Sequence, residues 1–174
     1  MEKITISHGS GGKLTDNLIK DIFFKYLGNE ILAQKDDAAL VTLDSKDIAF
    51  STDSFVIKPV FFPGGDIGKL AICGTVNDLA VNGAVAEYIS CGFIIEEGFA
   101  IADLEKIVKS MGECVKEAGV KIVCGDTKVV EKGAADGLFI NTAGIGRVVK
   151  KDSVLGVNEI STGDKVIITG NIAE

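Results

Sequence analysis

Leu104, Ile107, Val108, Met111 and Val115 recur at the three- and four-residue spacing of one helix face, and this stripe constrains the fold more than any other feature of the chain. A helix of this kind draws its stability from covering the stripe. Asp103 stands where a cap belongs, and Gly119 where a C-terminal stop belongs. The flanking segments AEYISCGFII (86–95) and VKIVCGDTKVV (120–130) have the β-branched and aromatic content of strands. A helix between two strands covers its stripe by lying on their sheet, so a layered α/β or α+β domain is expected.

The rest of the chain repeats that logic. Residues 13–27 (KLTDNLIKDIFFKYL) place Leu14, Leu18, Ile22 and Phe23 at helical spacing, with Gly28 as the stop. FFPGGDIGKLAICGTVNDLAVNGA (61–84) reads as a loop broken by Pro63-Gly64-Gly65, feeding a helix that Asp66 caps and Gly83 follows. AALVTL (38–43) and DIAFSTDSFVI (47–57) read as a hairpin joined at 44–47, and GLFINTAGIGRVV (137–149) as a further strand. The order predicts a mixed, mostly antiparallel sheet with helices on one face. After Val149 the sequence offers a turn at 162–164 and one strand, Lys165–Thr169, which cannot bury its own face. We therefore expect one domain over 1–155, and over 156–174 a linker and the first strand of a truncated second domain.

Composition excludes several function classes. The net charge of −7 supplies no basic stripe to neutralise phosphates, so nucleic acid is not expected as a partner. Four cysteines form no CxxC pair and stand with a single histidine, which argues against zinc. Their apolar surroundings predict buried, reduced thiols. No signal peptide or long apolar run is evident, so a soluble, cytoplasmic protein without membrane contact is expected.

The stretch SHGSGGKLT (7–15) ends a glycine cluster in lysine, as a phosphate-binding loop does. That motif requires glycine where Ser7 stands and serine or threonine where Leu14 stands, so it is rejected. Two readings remain. Gly11-Gly12 is either a flexible lead-in to the first helix, or residues 8–13 form a flap over a nucleotide, with Lys13 reaching a phosphate. His8, the only imidazole, is a candidate for proton transfer.

Four aspartates sit beside small residues at the edges of apolar segments: Asp37 in KDDAA, Asp53 in STDS, Asp78 in VNDLA and Asp126 in CGDTK. A lone buried carboxylate is costly, whereas several become tolerable together around a hard cation. Magnesium commonly bridges one or two carboxylates to substrate phosphates, so these four are the candidate ligands of a shared magnesium–nucleotide site. Gly74 lies one turn before Asp78 and leaves room on that helix face. Lys128 follows Asp126 at strand spacing and is a candidate for neutralising developing phosphate charge. Turn and cap roles remain the competing reading for each aspartate.

HGSGGKLT, DDAAL, STDSFVIKPVFFPGGDIGKLAICGTVNDLAVNGA and CGDTKVVEKG together resemble the amino-terminal domain of the PurM-like, AIR-synthase-related ATP-binding superfamily. Within it they are most similar to the HypE family of hydrogenase maturation factors. The resemblance implies a domain that dimerises through its sheet into a β-barrel, with ATP near the interface. It implies magnesium or phosphate contacts at Asp37, Asp53, Asp78 and Asp126, with Asn77, Thr127 and Lys128 nearby.

The implied activity is ATP-dependent dehydration of a thiocarboxamide on a carboxyl-terminal cysteine. The resulting thiocyanate supplies cyanide to the iron of [NiFe]-hydrogenase. The implied partners are HypF and a HypC–HypD complex. That family ends in a reactive cysteine, whereas the last residue here is Glu174. Two alternatives stand beside this reading. One is a non-catalytic nucleotide-binding and dimerisation module that docks maturation partners. The other is a different PurM-like enzyme, such as a thiamine-phosphate kinase or a selenophosphate synthetase, and the long proline-glycine block disfavours both of these.

Overall fold

The computed structural model describes residues 2–34, 38–149, 160–168 and 170. The stripe that dominates the sequence is buried: Leu104, Ile107, Val108 and Met111 have no exposed surface, within a helix over Ile101–Ala118 (α4). Gly119 ends it in the left-handed conformation, φ 69°, as expected. Asp103 is not its cap. The helix starts earlier, with Ala100 as N-cap, because the chain's first residues dock there. Ile4 N–H donates to the Phe99 carbonyl and Ile101 N–H to the Glu2 carbonyl, so backbone supplies the partner that a cap side chain would have offered. Asp103 instead sits in the first turn and pairs with Lys106 at 3.0 Å.

Residues 13–27 are helical throughout, as Lys13–Leu18 (α1), a π-wound stretch Ile19–Phe24, and Lys25–Leu27 (α2). Leu18, Ile22, Phe23 and Leu27 are buried, but Leu14 of the expected stripe is 44% exposed. The helix over Ile67–Val81 (α3) is capped as its sequence predicts, with Asp66 Oδ1 accepting from Gly68 N–H at 2.7 Å and Lys69 N–H at 3.1 Å.

The strands are β1 (Ile48–Phe55), β2 (Phe61–Phe62), β3 (Gly65–Asp66), β4 (Ala84–Glu96), β5 (Lys121–Val130) and β6 (Leu138–Val148). β2 and β3 form a minimal hairpin; the other four form one sheet in the order β1-β6-β4-β5. β6 is antiparallel to both β1 and β4, while β4 and β5 are parallel. The expected mixed, mostly antiparallel sheet is therefore present. β1, β4 and β5 run the same way, so α3 and α4 are parallel crossover helices. Both pack against the face formed by Ile89, Cys91, Phe93 and Ile95 of β4 with Ile140 and Thr142 of β6, all buried.

The expected hairpin partner of β1 is absent. Residues 38–43 form no strand, and β1 pairs instead with β6, from Ile48 opposite Arg147 to Phe55 opposite Ile140. Alternation in a sequence assigns faces but not neighbours, and the distant β6 supplies the longer ladder. Residues 165–168 likewise form no strand, and Val166 is 97% exposed; Thr169 lies outside the described residues. Among the described residues the sheet is open, with β1 and β5 as its edges rather than closed into a barrel.

Candidate nucleotide site

The glycine-rich turn is built from its own side chains. Ile6–Gly9 form a 3₁₀ turn in which Thr5 N–H donates to His8 Nδ1 at 3.1 Å, and Thr5 Oγ1 lies 2.9 Å from the same nitrogen. The imidazole is thus turned inward and buried. Thr15 Oγ1 accepts from Gly11 N–H at 3.1 Å and donates to the Ser7 carbonyl at 3.4 Å, and Ser10 donates to that carbonyl at 3.1 Å. Gly9 packs so closely on β5 that an added Cβ would lie 2.7 Å from Val129 N. Gly11 takes φ 79°, which a side chain would strain. Gly12 is the N-cap of α1, and Lys13 is exposed at its start.

Beneath this turn lies a cavity of about 780 Å³. Gly9, Gly11, Thr15 and Asp16 line one side, Ala38 and Ala39 another, and Cys124–Thr127 of β5 a third. Ile19, Phe23, Phe24, Leu27, Leu32 and Ile122 make the remaining wall apolar. Three of the stretches singled out in the sequence therefore meet at one hollow. Asp37 itself lies outside the described residues.

The other two aspartates are elsewhere. Asp53 and Ser51 of β1 point to the helix side of the sheet, beside α3. Ser51 Oγ donates to Asp78 Oδ2 at 3.0 Å, and Asp53 Oδ1 accepts from Ser54 N–H at 2.7 Å. Gly74 lets the Phe55 ring pack onto α3 beside them: a Cβ there would lie 2.9 Å from that ring and 3.6 Å from Asp53 Oδ2. Asn77 is exposed next to Asp78. A shallow depression of about 450 Å³, which Ser51, Asp78 and Asn82 line together with Phe50 and Val81, adjoins this pair.

The register separates the two groups. Asp126 belongs to the row Ser54–Asn141–Gly92–Asp126, on the face away from the helices, with Lys128 two residues further on. β1 and β5 are three strand spacings apart, about 14 Å. Within a single chain, Asp53 lies on the helix side of β1 beside the helix that carries Asp78, and Asp126 on the opposite face of the sheet three strands away. Among the described residues, no three histidine, cysteine or acidic side chains are grouped to hold a metal. Thr127 has its side chain on the helix side of β5, opposite to Asp126 and Lys128.

Among the described residues, the ion pairs are Lys25–Glu105, Lys58–Asp136, Lys106–Asp103, Lys121–Glu30 and Arg147–Glu87, none of which includes Asp53, Asp78, Asp126, Lys13 or Lys128. Cys91 borders the cavity, but burial pushes its thiol well above the usual range and makes it a poor nucleophile. The thiols are free, and of the four only Cys91 and Cys114 are buried as expected; Cys73 and Cys124 are half-exposed.

Ser51 and Thr15 escaped the sequence reading. Each is a small hydroxyl in a stretch already singled out, and only the fold shows which backbone or carboxylate it holds. No helix among the described residues is long and apolar enough to cross a membrane.

The chain is 47% identical over 179 residues to carbamoyl dehydratase HypE of Escherichia coli (strain K12), a match covering 100% of this chain and 53% of that protein. It thus spans about half the length of the curated relatives it matches. A crystal structure of hydrogenase maturation protein HypE in complex with ATP superposes with a TM-score of 0.81 at 52% identity, covering 83% of this chain and 43% of that one. A HypE chain from a HypE–HypF complex gives a TM-score of 0.59 at 57% identity, covering 76% of this chain and 43% of that one. The sequence model of the family described as AIR synthase related protein, N-terminal domain, matches residues 35–148. Through that domain, the chain belongs to the AIR synthase related family.

Proposed function

We propose that this chain is the nucleotide-binding, dimer-forming amino-terminal part of a carbamoyl dehydratase acting in hydrogenase maturation. One observation carries the reading. The glycine-rich turn, Ala38–Ala39 and Cys124–Thr127 converge on a single cavity, in a chain 52% identical to a HypE crystallised with ATP. The apolar wall suits a nucleoside base. The end formed by Gly11, Asp126 and Thr127 suits the polar ribose and phosphates, with Gly12 and Lys13 following Gly11 in the chain.

The donor set beside β1 fits magnesium. Asp53 and Asp78 offer hard oxygens, and neither is neutralised by a described lysine or arginine. On this reading Asp53, Asp78 and Asn77 hold one part of a magnesium–phosphate assembly, and Asp37 and Asp126 contribute from elsewhere. A bound magnesium nucleotide supplies charge neutralisation and the phosphoryl group that turns a carboxamide oxygen into a leaving group. Lys128 neutralises the developing phosphate charge. His8, whose Nδ1 is engaged by Thr5, is the residue proposed for proton transfer.

The substrate of the whole protein is the thiocarboxamide of a carboxyl-terminal cysteine, and the product thiocyanate supplies the cyanide ligand of [NiFe]-hydrogenase. In that protein residues 1–155 form the ATP-binding domain, and 156–174 lead into a second one. The partners are a second copy, HypF and a HypC–HypD complex, all in the cytoplasm. The apolar side chains exposed on the open sheet face support the dimer: Phe50 is 68%, Ile48 54% and Ile94 43% exposed. Pairing two such faces completes a barrel.

Calorimetric titration with ATP, with and without magnesium, on protein sized by sedimentation tests the reading. A dimer that binds ATP only with magnesium is the expected result. A folded protein that fails to bind at saturating magnesium overturns it.

A further inference from the structure

His8 is buried in the turn Ile6–Gly9, and one of its ring nitrogens is set against a backbone donor. Thr5 N–H donates to Nδ1 at 3.1 Å, and the Thr5 hydroxyl lies 2.9 Å from the same atom. His8 N–H donates back to the Thr5 carbonyl at 2.9 Å. An amide N–H only donates, so Nδ1 must present its lone pair. The neutral ring therefore carries its proton on Nε2, and a second proton has only Nδ1 to go to. A proton there keeps the Thr5 hydroxyl as a partner but sets N–H against N–H on the backbone side. This bond closes the segment that frames the cavity. Ser7, one residue before, accepts from Ser10 and Thr15; Gly9, one residue after, packs on Val129; Gly9 and Gly11 line the hollow.

The ionisable groups around the turn do not replace that bond. Glu97, on the loop after β4, accepts from Ile6 N–H at 3.4 Å. Lys13 and Asp16 lie on α1, Glu2 and Lys3 are exposed on the arm before the turn, and Glu131 is exposed just beyond β5. β5 turns Thr127 and Val129 to the side where Gly9 packs, and Asp126 and Lys128 to the other face. Among the described residues, none of these forms an ion pair with His8.

We propose that His8 is the positioning residue of the glycine-rich turn: its neutral imidazole holds the turn over the cavity, and a proton on Nδ1 releases it. That the turn covers a nucleotide rests on the function proposed above; how the turn is held does not. The step is a single proton transfer. A proton from solvent or from the reaction takes the Nδ1 lone pair, the ring becomes imidazolium, and the hydrogen bond from Thr5 N–H breaks. Proton transfer to His8 and a held turn thus exclude each other, so any proton that His8 accepts also loosens the turn. Nucleotide affinity accordingly falls as pH drops through the titration of this imidazole.

The test is nitrogen–proton correlation NMR on the isotope-labelled intact chain, in which His8 is the only histidine and its ring signals need no assignment. At about pH 8 the ring couplings should place the proton on Nε2, and between there and about pH 5 the Thr5 and Gly11 amides should shift with the ring's own midpoint. In His8→Asn, whose Oδ1 stands in for Nδ1 and does not titrate, those amides should stay in place. Calorimetry with magnesium-ATP gives a second reading, in which protonation of the nucleotide is common to every variant. Wild-type affinity should fall about tenfold over that range, while His8→Asn stays nearly flat and His8→Ala is weaker by about tenfold at the upper end. A proton on Nδ1 at the upper end, turn amides indifferent to the ring's titration, or wild-type affinity in His8→Ala would each overturn the proposal. Nucleotide binding absent from all three proteins would instead overturn the function proposed above, and the NMR readings then decide the role of His8 alone. Wild type and His8→Asn suffice if His8→Ala fails to fold.

Discussion

Ser51 donates its hydroxyl to Asp78 Oδ2 at 3.0 Å, joining the edge strand β1 to the last turn of α3. The bond fixes one carboxylate oxygen, on a residue exposed to solvent, and the other has no ion pair among the described residues. An exposed substitution here should cost little stability, within about 0.5 kcal/mol. Loss of a charged ligand contact is worth more, about 1.5–3 kcal/mol. Asp78→Asn should therefore weaken magnesium-dependent ATP binding by roughly tenfold or more, with little change in thermal unfolding. Parallel losses in calorimetric affinity and melting temperature would assign Asp78 to structure instead.

Lys128 projects from the open face of β5, two residues beyond Asp126, without an ion pair among the described residues. In a full-length protein containing this domain, Lys128→Ala should lower turnover by about 10²-fold. Nucleotide affinity should change far less. Single-turnover dehydration and equilibrium binding separate the two effects, and a pure affinity loss removes Lys128 from the chemistry.

Phe50 is 68% exposed near the start of β1, opposite Ile145 of β6. If the open faces pair, each copy buries this ring, worth roughly 1.5–3 kcal/mol per side chain. Phe50→Glu should then weaken dimerisation by about a hundredfold or more, read by sedimentation velocity, with the monomer fold intact by circular dichroism. An unchanged dimer would put the interface elsewhere.

Thr75 of α3 and Thr142 of β6 share a hydrogen bond with no solvent exposure at either residue. Thr75→Val leaves the Thr142 hydroxyl buried without this partner, at a cost of about 1–3 kcal/mol. Replacing both with valine should recover part of that loss, because neither hydroxyl remains to be satisfied. Urea unfolding of the two single variants and the double variant measures the coupling.

Glu105 on α4 accepts from Lys25 at 2.6 Å and from Tyr26 at 2.9 Å. The Lys25 bond first, and then the Tyr26 bond, hold its carboxyl below the ordinary value of 4.5. A depressed folded-state value means that its contribution is present above the unfolded-state value and is lost as pH falls through the folded one. Glu105→Gln should thus lower the melting temperature slightly near pH 7. The gap should close as pH drops below about 4. A gap that persists in acid would mean that the carboxylate charge is not what holds α2 to α4. The pair is exposed, so the effect is small.

Local chemistry was legible wherever it closes within a few residues. The buried stripe of α4, the Asp66 cap and the Gly119 stop follow from spacing, and each appears at its expected place. Asp103 was misread because the cap of α4 is replaced by backbone from Glu2, a contact between segments about a hundred residues apart. Residues 38–43 have strand-like alternation, yet β1 takes β6 as its partner, since alternation carries no information about which strand lies alongside.

The sequence by itself determined the helices, the strand faces and the residue types able to meet a cation and a phosphate, because these depend on short-range periodicity and side-chain chemistry. Only the tertiary structure decided which of them meet. It put Asp53 and Asp78 on one side of the sheet, with Asp126 three strands away on the other face. It folded the glycine-rich turn onto its own Thr15 and Ser7, over the cavity beside β5. Strand order and register set these distances, and they arise from pairing between distant segments that no local pattern encodes.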